Sequence, residues 1–185
     1  IANTSHTLSL LNLKNATNNS MVIPKPILNM GFPKSGTTTL HEFFECANID
    51  SSHMSCPRNG ACALCMRDAS RGGLPPLKTC GIHEAYTQLD YDFPPDKCFF
   101  PQIELLDEFH KEAPNATFML LFRSVDSWIN SLTRWHFMKQ RLSSCNISGF
   151  PVGMGRKQSD FKHWFCNHIT RVRKFVQDHP SHTLI

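Results

Sequence analysis

Residues 26–44, PILNMGFPKSGTTTLHEFF, constrain the fold of this chain more than any other stretch of its sequence. The apolar run from Pro26 to Phe32 predicts a short buried strand, which leads directly into a turn from Pro33 to Gly36. Thr37 or Thr38 can then cap a helix. The inward face of this helix is predicted to carry Leu40, Phe43 and Phe44. The stretch therefore predicts a strand, a loop and a helix in immediate succession.

A second junction of the same kind begins at Ala116. The continuous apolar run ATFMLLFRS, which ends at Ser124, is typical of a central parallel strand. Ser124 can cap the next helix, whose apolar stripe is Val125, Trp128, Leu132 and Trp135. Further helices are predicted at 100–114 and 159–178, with His168 a packed helix residue. This alternation predicts a three-layer, P-loop-type α/β fold with a central parallel β-sheet flanked by helices, and a site at the carboxyl ends of the strands.

The chain of 185 residues is long enough for one domain and too short for two ordinary ones. Residues 1–24 are rich in Asn, Thr and Ser, which favours a flexible glycosylated stem or tail. Residues 25–185 form the predicted domain, with a Cys-rich irregular insertion at about 48–80. Because SHTLI at the end of the chain has a β-like pattern, this domain is expected to be C-terminally incomplete.

Eight cysteines and five N-x-Ser/Thr acceptor sites favour the secretory pathway, in the Golgi lumen or outside the cell. The acceptor asparagines are Asn3, Asn15, Asn18, Asn115 and Asn146. Cys56, Cys62 and Cys65 lie near His53 and could bind zinc, but the acceptor sites favour disulfides. A reduced protein with chance acceptor sites is the alternative. No run of about 18 apolar residues is present, so attachment to a membrane would need an anchor upstream of Ile1.

The turn after the first strand has the composition of an anion site. A glycine-containing loop at a helix N-terminus presents backbone N–H groups and the positive end of the helix dipole to an anion. Lys34 adds a full positive charge, and hydroxyl donors are offered by Ser35, Thr37, Thr38 and Thr39. The net charge of +4 likewise favours anionic ligands and does not point to nucleic acid. The alternative is a tight turn whose threonines only cap the helix.

The loop departs from the pattern of nucleoside triphosphate sites, G-x-x-x-x-G-K-[ST]. Gly31 and Gly36 have the required spacing, but Thr37 follows the second glycine and the lysine stands within the loop. Such a site also needs an acidic Mg²⁺ ligand on a later strand. The strand predicted at 116–124 carries Arg123 near its end instead, which would bind an anion and repel a metal.

Two motifs, FPKSGTTTL and FRSVDSWINS, stand at the two junctions. The first is similar to the 5′-phosphosulfate loop, P-K-x-G-T-T, of sulfotransferases that use 3′-phosphoadenosine-5′-phosphosulfate (PAPS), a family with Golgi-type, carbohydrate-modifying members. The second resembles their 3′-phosphate motif, in which an arginine at a strand end precedes a helical serine by eight residues. The resemblance implies that Arg123 and Ser131 bind the 3′-phosphate. It implies that the 5′ end of the donor is bound by Lys34, Ser35, Gly36, Thr37 and Thr38.

The resemblance also implies a reaction: in-line transfer of a sulfuryl group from PAPS to a hydroxyl or amine acceptor, expected to be a carbohydrate. The product would be 3′-phosphoadenosine-5′-phosphate, and no metal would be required. Lys34 would stabilise the leaving group. The family places a His or Glu general base between the two motifs, and GIHEAYTQLDYD lies there. Glu84 is the predicted base, with His83 second; Asp90 and Asp92 lie in the same stretch.

Two other functions stay open at the level of sequence. One is a P-loop kinase or NTPase, against which the displaced lysine and the missing acidic Mg²⁺ ligand argue. The other is a secreted, disulfide-stapled binding module that has the same fold and no activity.

Overall fold

A central sheet of five parallel strands, flanked by helices, organises the computed structural model, which describes residues 22–57 and 60–185. The predicted α/β fold is therefore confirmed, whereas most of the predicted stem lies outside the described residues. The elements are, in chain order, β1 (Ile27–Asn29), α1 (Thr37–Cys46), β2 (Ser51–His53), β3 (Ser55–Cys56), β4 (Gly60–Ala61), α2 (Cys62–Arg71), α3 (Pro76–Cys80), β5 (Ala85–Gln88), β6 (Tyr91–Phe93), β7 (Lys97–Phe99), α4 (Pro101–Glu104), α5 (Leu106–Glu112), β8 (Thr117–Met119), α6 (Val125–Arg134), α7 (Met138–Ser144), α8 (Gln158–Asp178) and β9 (Thr183–Leu184).

The strand order is β2-β5-β1-β8-β9, so the two strands that lead into the sequence motifs, β1 and β8, are neighbours. Their pairing runs from Ile27 opposite Thr117 to Asn29 opposite Met119. Because all five strands are parallel, their carboxyl ends meet at one edge of the sheet. The loops that follow β1 and β8 therefore lie side by side, although about ninety residues separate them along the chain.

Alternation along the strands divides the core between the two faces of the sheet. Leu28, Tyr86 and Phe118 are fully buried and pack with apolar residues of α2, α3, α5 and α8. On the opposite face, Ile27 packs against Phe44 of α1. Each fully buried large side chain contributes about 1.5–3 kcal/mol relative to an exposed one, so both helical layers are held by the sheet.

An aromatic cluster lies directly beneath the loop that follows β1. Phe32, the last residue before that loop, stacks on Trp164 at a centroid distance of 4.1 Å and on His168 at 4.5 Å. The imidazole Nε2 of His168 donates to the carbonyl oxygen of Met30 at 2.6 Å. Burial lowers the pKa of His168 to about 4, so the ring is neutral at ordinary pH. His168 is thus the packed helix residue that its position predicts.

The Cys-rich insertion contains two of the three disulfides, Cys56–Cys62 and Cys65–Cys80. The third, Cys98–Cys145, ties β7 to the end of α7. Within the described residues, no group of three or more His, Cys, Asp or Glu side chains is arranged to hold a metal ion. Disulfides therefore staple this segment. It is more regular than predicted, because β2, β3, β4, α2 and α3 all fall within it.

Three local predictions are wrong in detail. Phe43, predicted to face inward, is 64% exposed, and the inward side of α1 is carried by Phe44. The single helix predicted at 100–114 is interrupted at Leu105 and forms α4 and α5. Trp135 follows the last residue of α6 and is 46% exposed, so it leaves the predicted apolar stripe.

Candidate active site

The loop between β1 and α1 is fixed by contacts that leave little room for side chains. The amide of Gly31 donates to the Asn29 side chain at 2.9 Å, and a Cβ on Gly31 would lie only 2.9 Å from that same oxygen. Lys34 has a φ of 66° and Gly36 a φ of 112°, both in the left-handed region. The loop thereby turns sharply into α1, whose first-turn N–H groups have no partner within the helix and are available to an anion.

The threonines do not cap this helix, so the interpretation of the loop as a plain capped turn is not supported. Gly36 occupies the cap position, and among the residues that the structure describes no side-chain cap hydrogen bond is made at this helix start. The hydroxyl of Thr37 instead donates to Gln88 Oε1 at 3.0 Å, and the hydroxyl of Thr38 lies 3.4 Å from His53 Nε2. Ser35 donates to the carbonyl oxygen of Phe32 at 2.6 Å.

The second junction is joined to this loop by hydrogen bonds. Ser124 caps α6 as predicted, accepting from the amide of Ser127 at 3.4 Å. The indole N–H of Trp128 donates to the carbonyl oxygen of Pro33 at 2.8 Å. The guanidinium of Arg123 donates to the carbonyl oxygen of Lys34 at 3.1 Å. The start of α6 and the loop after β1 are therefore held as one unit.

Between them opens a polar cleft of about 340 Å³. The structure brings three of the predicted site residues, Lys34, Arg123 and Ser131, to this one cleft. Its lining residues are Lys34, Arg123, Ser127, Asn130, Ser131, Arg134 and Trp135. Three of these carry a positive charge and none of the seven a negative one, which is the lining expected for a ligand with several anionic groups.

Lys34 has an unusual environment for a lysine. Its Nζ lies 3.4 Å from the centre of the Trp135 ring, within the range of a cation–π contact. Partial burial lowers the pKa of Lys34 below its ordinary value, and the neighbouring Arg123 guanidinium lowers it further. A negatively charged ligand between these two cations would relieve their repulsion, so the free site favours an anion.

The two residues predicted as general base lie at the amino edge of the sheet, opposite the loops that follow β1 and β8. Glu84 immediately precedes β5, pairs with Lys25, and accepts from the amide of Ile27 through its backbone oxygen at 2.8 Å. Its position is about 13 Å along the strand from the carboxyl end. His83 pairs with Asp50 in a separate cleft of about 420 Å³ at the same amino edge. Glu84 and His83 therefore lie away from the loops that follow β1 and β8, and their role as general base stays a prediction.

His53, which the sequence offered only as a possible zinc ligand, lies at the carboxyl end of β2, at the edge of the sheet where the loops after β1 and β8 lie. Thr87 Oγ1 donates its hydrogen to the carbonyl oxygen of Ser52 at 3.0 Å, so it can only accept from His53 Nδ1, at 3.2 Å. His53 Nε2 is then the basic nitrogen, and it faces the hydroxyl of Thr38. Burial lowers the pKa of His53, and His41 stacked on it at 5.4 Å adds to the effect, so the imidazole is neutral at ordinary pH.

The two other acidic residues of the same stretch are buried just past β5. Asp92 pairs with Arg141 at 2.8 Å, whereas Asp90 accepts from the side-chain amides of Gln88 and Gln102 at 3.1 and 3.3 Å. Neither carboxyl is exposed to an acceptor. The signal that could have found His53 was a short strand, SSH, that the irregular composition around it obscured.

Comparison with known proteins agrees with this geometry. A family model described as a sulfotransferase domain matches residues 26–184. A search of curated proteins finds no match.

Proposed function

Since the chain belongs to the sulfotransferase domain family, we propose that it transfers a sulfuryl group from PAPS to a hydroxyl or amine of a carbohydrate acceptor. One observation carries the choice of donor: the two junctions meet at a single cleft that is lined by Lys34, Arg123 and Arg134 and by no carboxylate among the seven lining residues. PAPS has anionic groups at two separated positions of one ribose, and a cleft with several separated cations complements it.

The two strand-to-helix junctions supply the residues that would hold each end of the donor. The N–H groups of the Gly36 loop, the first turn of α1 and the hydroxyls of Thr37 and Thr38 would bind the 5′ end, with Ser35 shaping the loop. Arg123 and Ser131 would bind the 3′-phosphate, because a planar guanidinium gives paired, charge-assisted hydrogen bonds to phosphate oxygens. The Arg123 bond to the Lys34 carbonyl oxygen would keep the two halves in register.

Catalysis would then rest on electrostatic stabilisation and on one proton transfer. Lys34 would leave the face of Trp135 and neutralise charge that develops on the leaving phosphate. His53 Nε2 would take the proton of the acceptor as the acceptor oxygen or nitrogen attacks sulfur in line. No step in this scheme needs a metal ion, so turnover is expected to persist in EDTA.

The choice of a carbohydrate acceptor and of the Golgi lumen or the cell exterior rests on covalent features. Three disulfides indicate an oxidising compartment. Two of the acceptor asparagines, Asn115 and Asn146, are exposed, as glycosylation requires. No helix in the described part of the chain is both long and apolar enough to cross a bilayer.

Calorimetric titration with 3′-phosphoadenosine-5′-phosphate, compared with ATP and Mg²⁺, tests the donor. Tight binding of the first ligand alone supports the proposal, and preference for ATP with Mg²⁺ would instead indicate a kinase or NTPase. Transfer of labelled sulfate to a panel of glycans, tyrosyl peptides and small phenols tests the acceptor. Donor binding without transfer to any of them would favour an inactive module.

A further inference from the structure

A buried hydrogen-bond chain connects Asp90 to the loop that follows β1. Asp90 Oδ2 accepts from Gln88 Nε2 at 3.1 Å, and Gln88 Oε1 in turn accepts from the Thr37 hydroxyl at 3.0 Å. Asp90 Oδ1 accepts from Gln102 Nε2 at 3.3 Å, and the same nitrogen lies 3.4 Å from the carbonyl oxygen of Gly31. Asp90 itself is 1% exposed, so it reaches the loop only through these two amides.

The donors and acceptors of this chain have only one consistent arrangement while Asp90 is ionised. A carboxylate only accepts, so the –NH₂ group of Gln88 must face Asp90 and its oxygen must face Thr37. Thr37 then donates its one hydroxyl hydrogen to Gln88 Oε1. To any other partner the Thr37 oxygen then offers only lone pairs, which repel an anionic ligand.

Protonation of Asp90 reverses the direction of the hydrogen bonds from Asp90 through Gln88 to Thr37. Its O–H can donate to Gln88 Oε1 once the side-chain amide has turned by half a rotation. The Gln88 –NH₂ group then donates to Thr37 Oγ1, and the Thr37 hydrogen is released towards the loop. Gln102 keeps both of its bonds, because Asp90 Oδ1 and the Gly31 oxygen remain acceptors.

We propose that Asp90 is a positioning residue for the donor: binding of a phosphate at the α1 terminus draws one proton from solvent onto Asp90, which turns Gln88 and frees the Thr37 hydroxyl to donate to that phosphate. This inference rests on the proposed PAPS function. The step conserves protons: one O–H bond forms at Asp90 with the proton from solvent, and the Thr37 hydrogen only changes its acceptor.

The charges around Asp90 are suited to this role. Burial, with the added effect of the negative charge of Asp92, raises the pKa of Asp90 to about 7, so both forms are populated near neutral pH. Asp92 is itself paired with Arg141 of α7. The amides of Gln88 and Gln102 partly offset the effect of burial.

Calorimetric titration of the whole chain with 3′-phosphoadenosine-5′-phosphate, in buffers of different ionisation enthalpy, tests the coupling. Asp90→Asn imitates the protonated state, because its –NH₂ group donates to Gln88 while its oxygen accepts from Gln102. At pH 7.5 the wild type should take up about 0.8 more protons per ligand than this variant. Its Kd should equal that of the variant at pH 6 and exceed it by about tenfold at pH 8. The comparison cancels protonation of the ligand itself.

Two further variants keep the test decisive. Thr37→Val has no hydroxyl to release, so its Kd for 3′-phosphoadenosine-5′-phosphate should depend on pH no more than that of Asp90→Asn. If Asp90→Asn does not fold, Thr37→Val replaces it in the comparison with the wild type. Asp107→Asn, an exposed carboxyl on α5, should behave as the wild type. Equal proton uptake in wild type and Asp90→Asn, or a Kd ratio that stays flat with pH, would overturn the coupling and leave the proposed donor standing. No binding of the ligand to any of the proteins would overturn both.

Discussion

Removal of the Arg123 side chain should weaken donor binding strongly while leaving the fold intact. Arg123 stands in the loop between β8 and α6; its side chain lines the polar cleft and donates to the carbonyl oxygen of Lys34. The residue is exposed, and Trp128 with Ser124 still fixes the start of α6 when it is gone. Arg123→Ala therefore removes one cation and its bond to the Lys34 carbonyl oxygen, while the contacts of Ser124 and Trp128 remain.

The magnitude follows from the bonds that the guanidinium would make. A hydrogen bond to a charged group contributes about 1.5–3 kcal/mol, and Arg123 can give more than one to a phosphate. Because the side chain is exposed, solvent and salt screen the interaction, and about 1.5–2 kcal/mol in total is the appropriate estimate. The Kd of 3′-phosphoadenosine-5′-phosphate should accordingly rise about 10- to 30-fold.

The assay is calorimetric titration with that ligand at two salt concentrations, with unfolding measured in parallel. Arg71→Ala is the matched control, because it removes the same charged side chain from an exposed position at the end of α2. The loss of affinity in Arg123→Ala should shrink at high salt, and Arg71→Ala should bind as the wild type. A Kd for Arg123→Ala within threefold of the wild type would refute the assignment of the second motif to the 3′-phosphate.

Four other predictions concern the base, the disulfides and the core. His53→Asn should lower kcat by about 10²- to 10⁴-fold with little change in donor Kd. At saturating donor the wild-type kcat should fall only below pH 6.5, since the pKa of His53 is lowered. An unchanged kcat in His53→Asn would exclude it as the base. Glu84→Gln should keep kcat within about twofold, and a large loss would restore it as the base. Replacing Cys98 and Cys145 by serine should lower the free energy of unfolding by about 2–4 kcal/mol in urea titrations, and an unchanged midpoint would contradict this. The folded-state pKa of His168 is about 4, below its unfolded value of 6.5, so the stability that it contributes is present above pH 6.5 and is lost as pH falls towards 4. His168→Gln should remove on the order of 3 kcal/mol of this acid sensitivity from the free energy of unfolding. A variant with the same pH profile of unfolding as the wild type would refute this.

The two strand-to-helix junctions could be predicted because their signals are local. An apolar run, a glycine that must take a positive φ and a capping serine each act within a few residues. Gly36 and Ser124 accordingly stand where the sequence predicts a turn and a cap. The strands were predicted too long, because β1 and β8 end where their hydrogen-bonding partners end, which depends on neighbours elsewhere in the chain.

The edge of the sheet at which each candidate base lies could not be predicted, because it depends on the direction in which a strand enters the sheet. Glu84 and Gln88 are four residues apart, yet they stand at opposite ends of β5, and only the carboxyl end faces the loop. His53 reaches that edge because β2 adds to the sheet beside β5, a pairing over more than thirty residues with a register shift before His53. No periodicity within the segment records such a contact.

The sequence by itself determined the chemistry that this protein carries: a glycine loop with Lys34, an arginine at a second strand end, and an even set of cysteines. Those features act through short-range geometry and through charge, which are properties of the residues. The tertiary structure alone decided which residues share the cleft and which carboxyl can hold a proton near pH 7. The pKa of Asp90 is raised mainly by burial, which removes water from its carboxyl group. β5, α4 and the loop after β1 are distant in sequence and come together around this residue only in the fold.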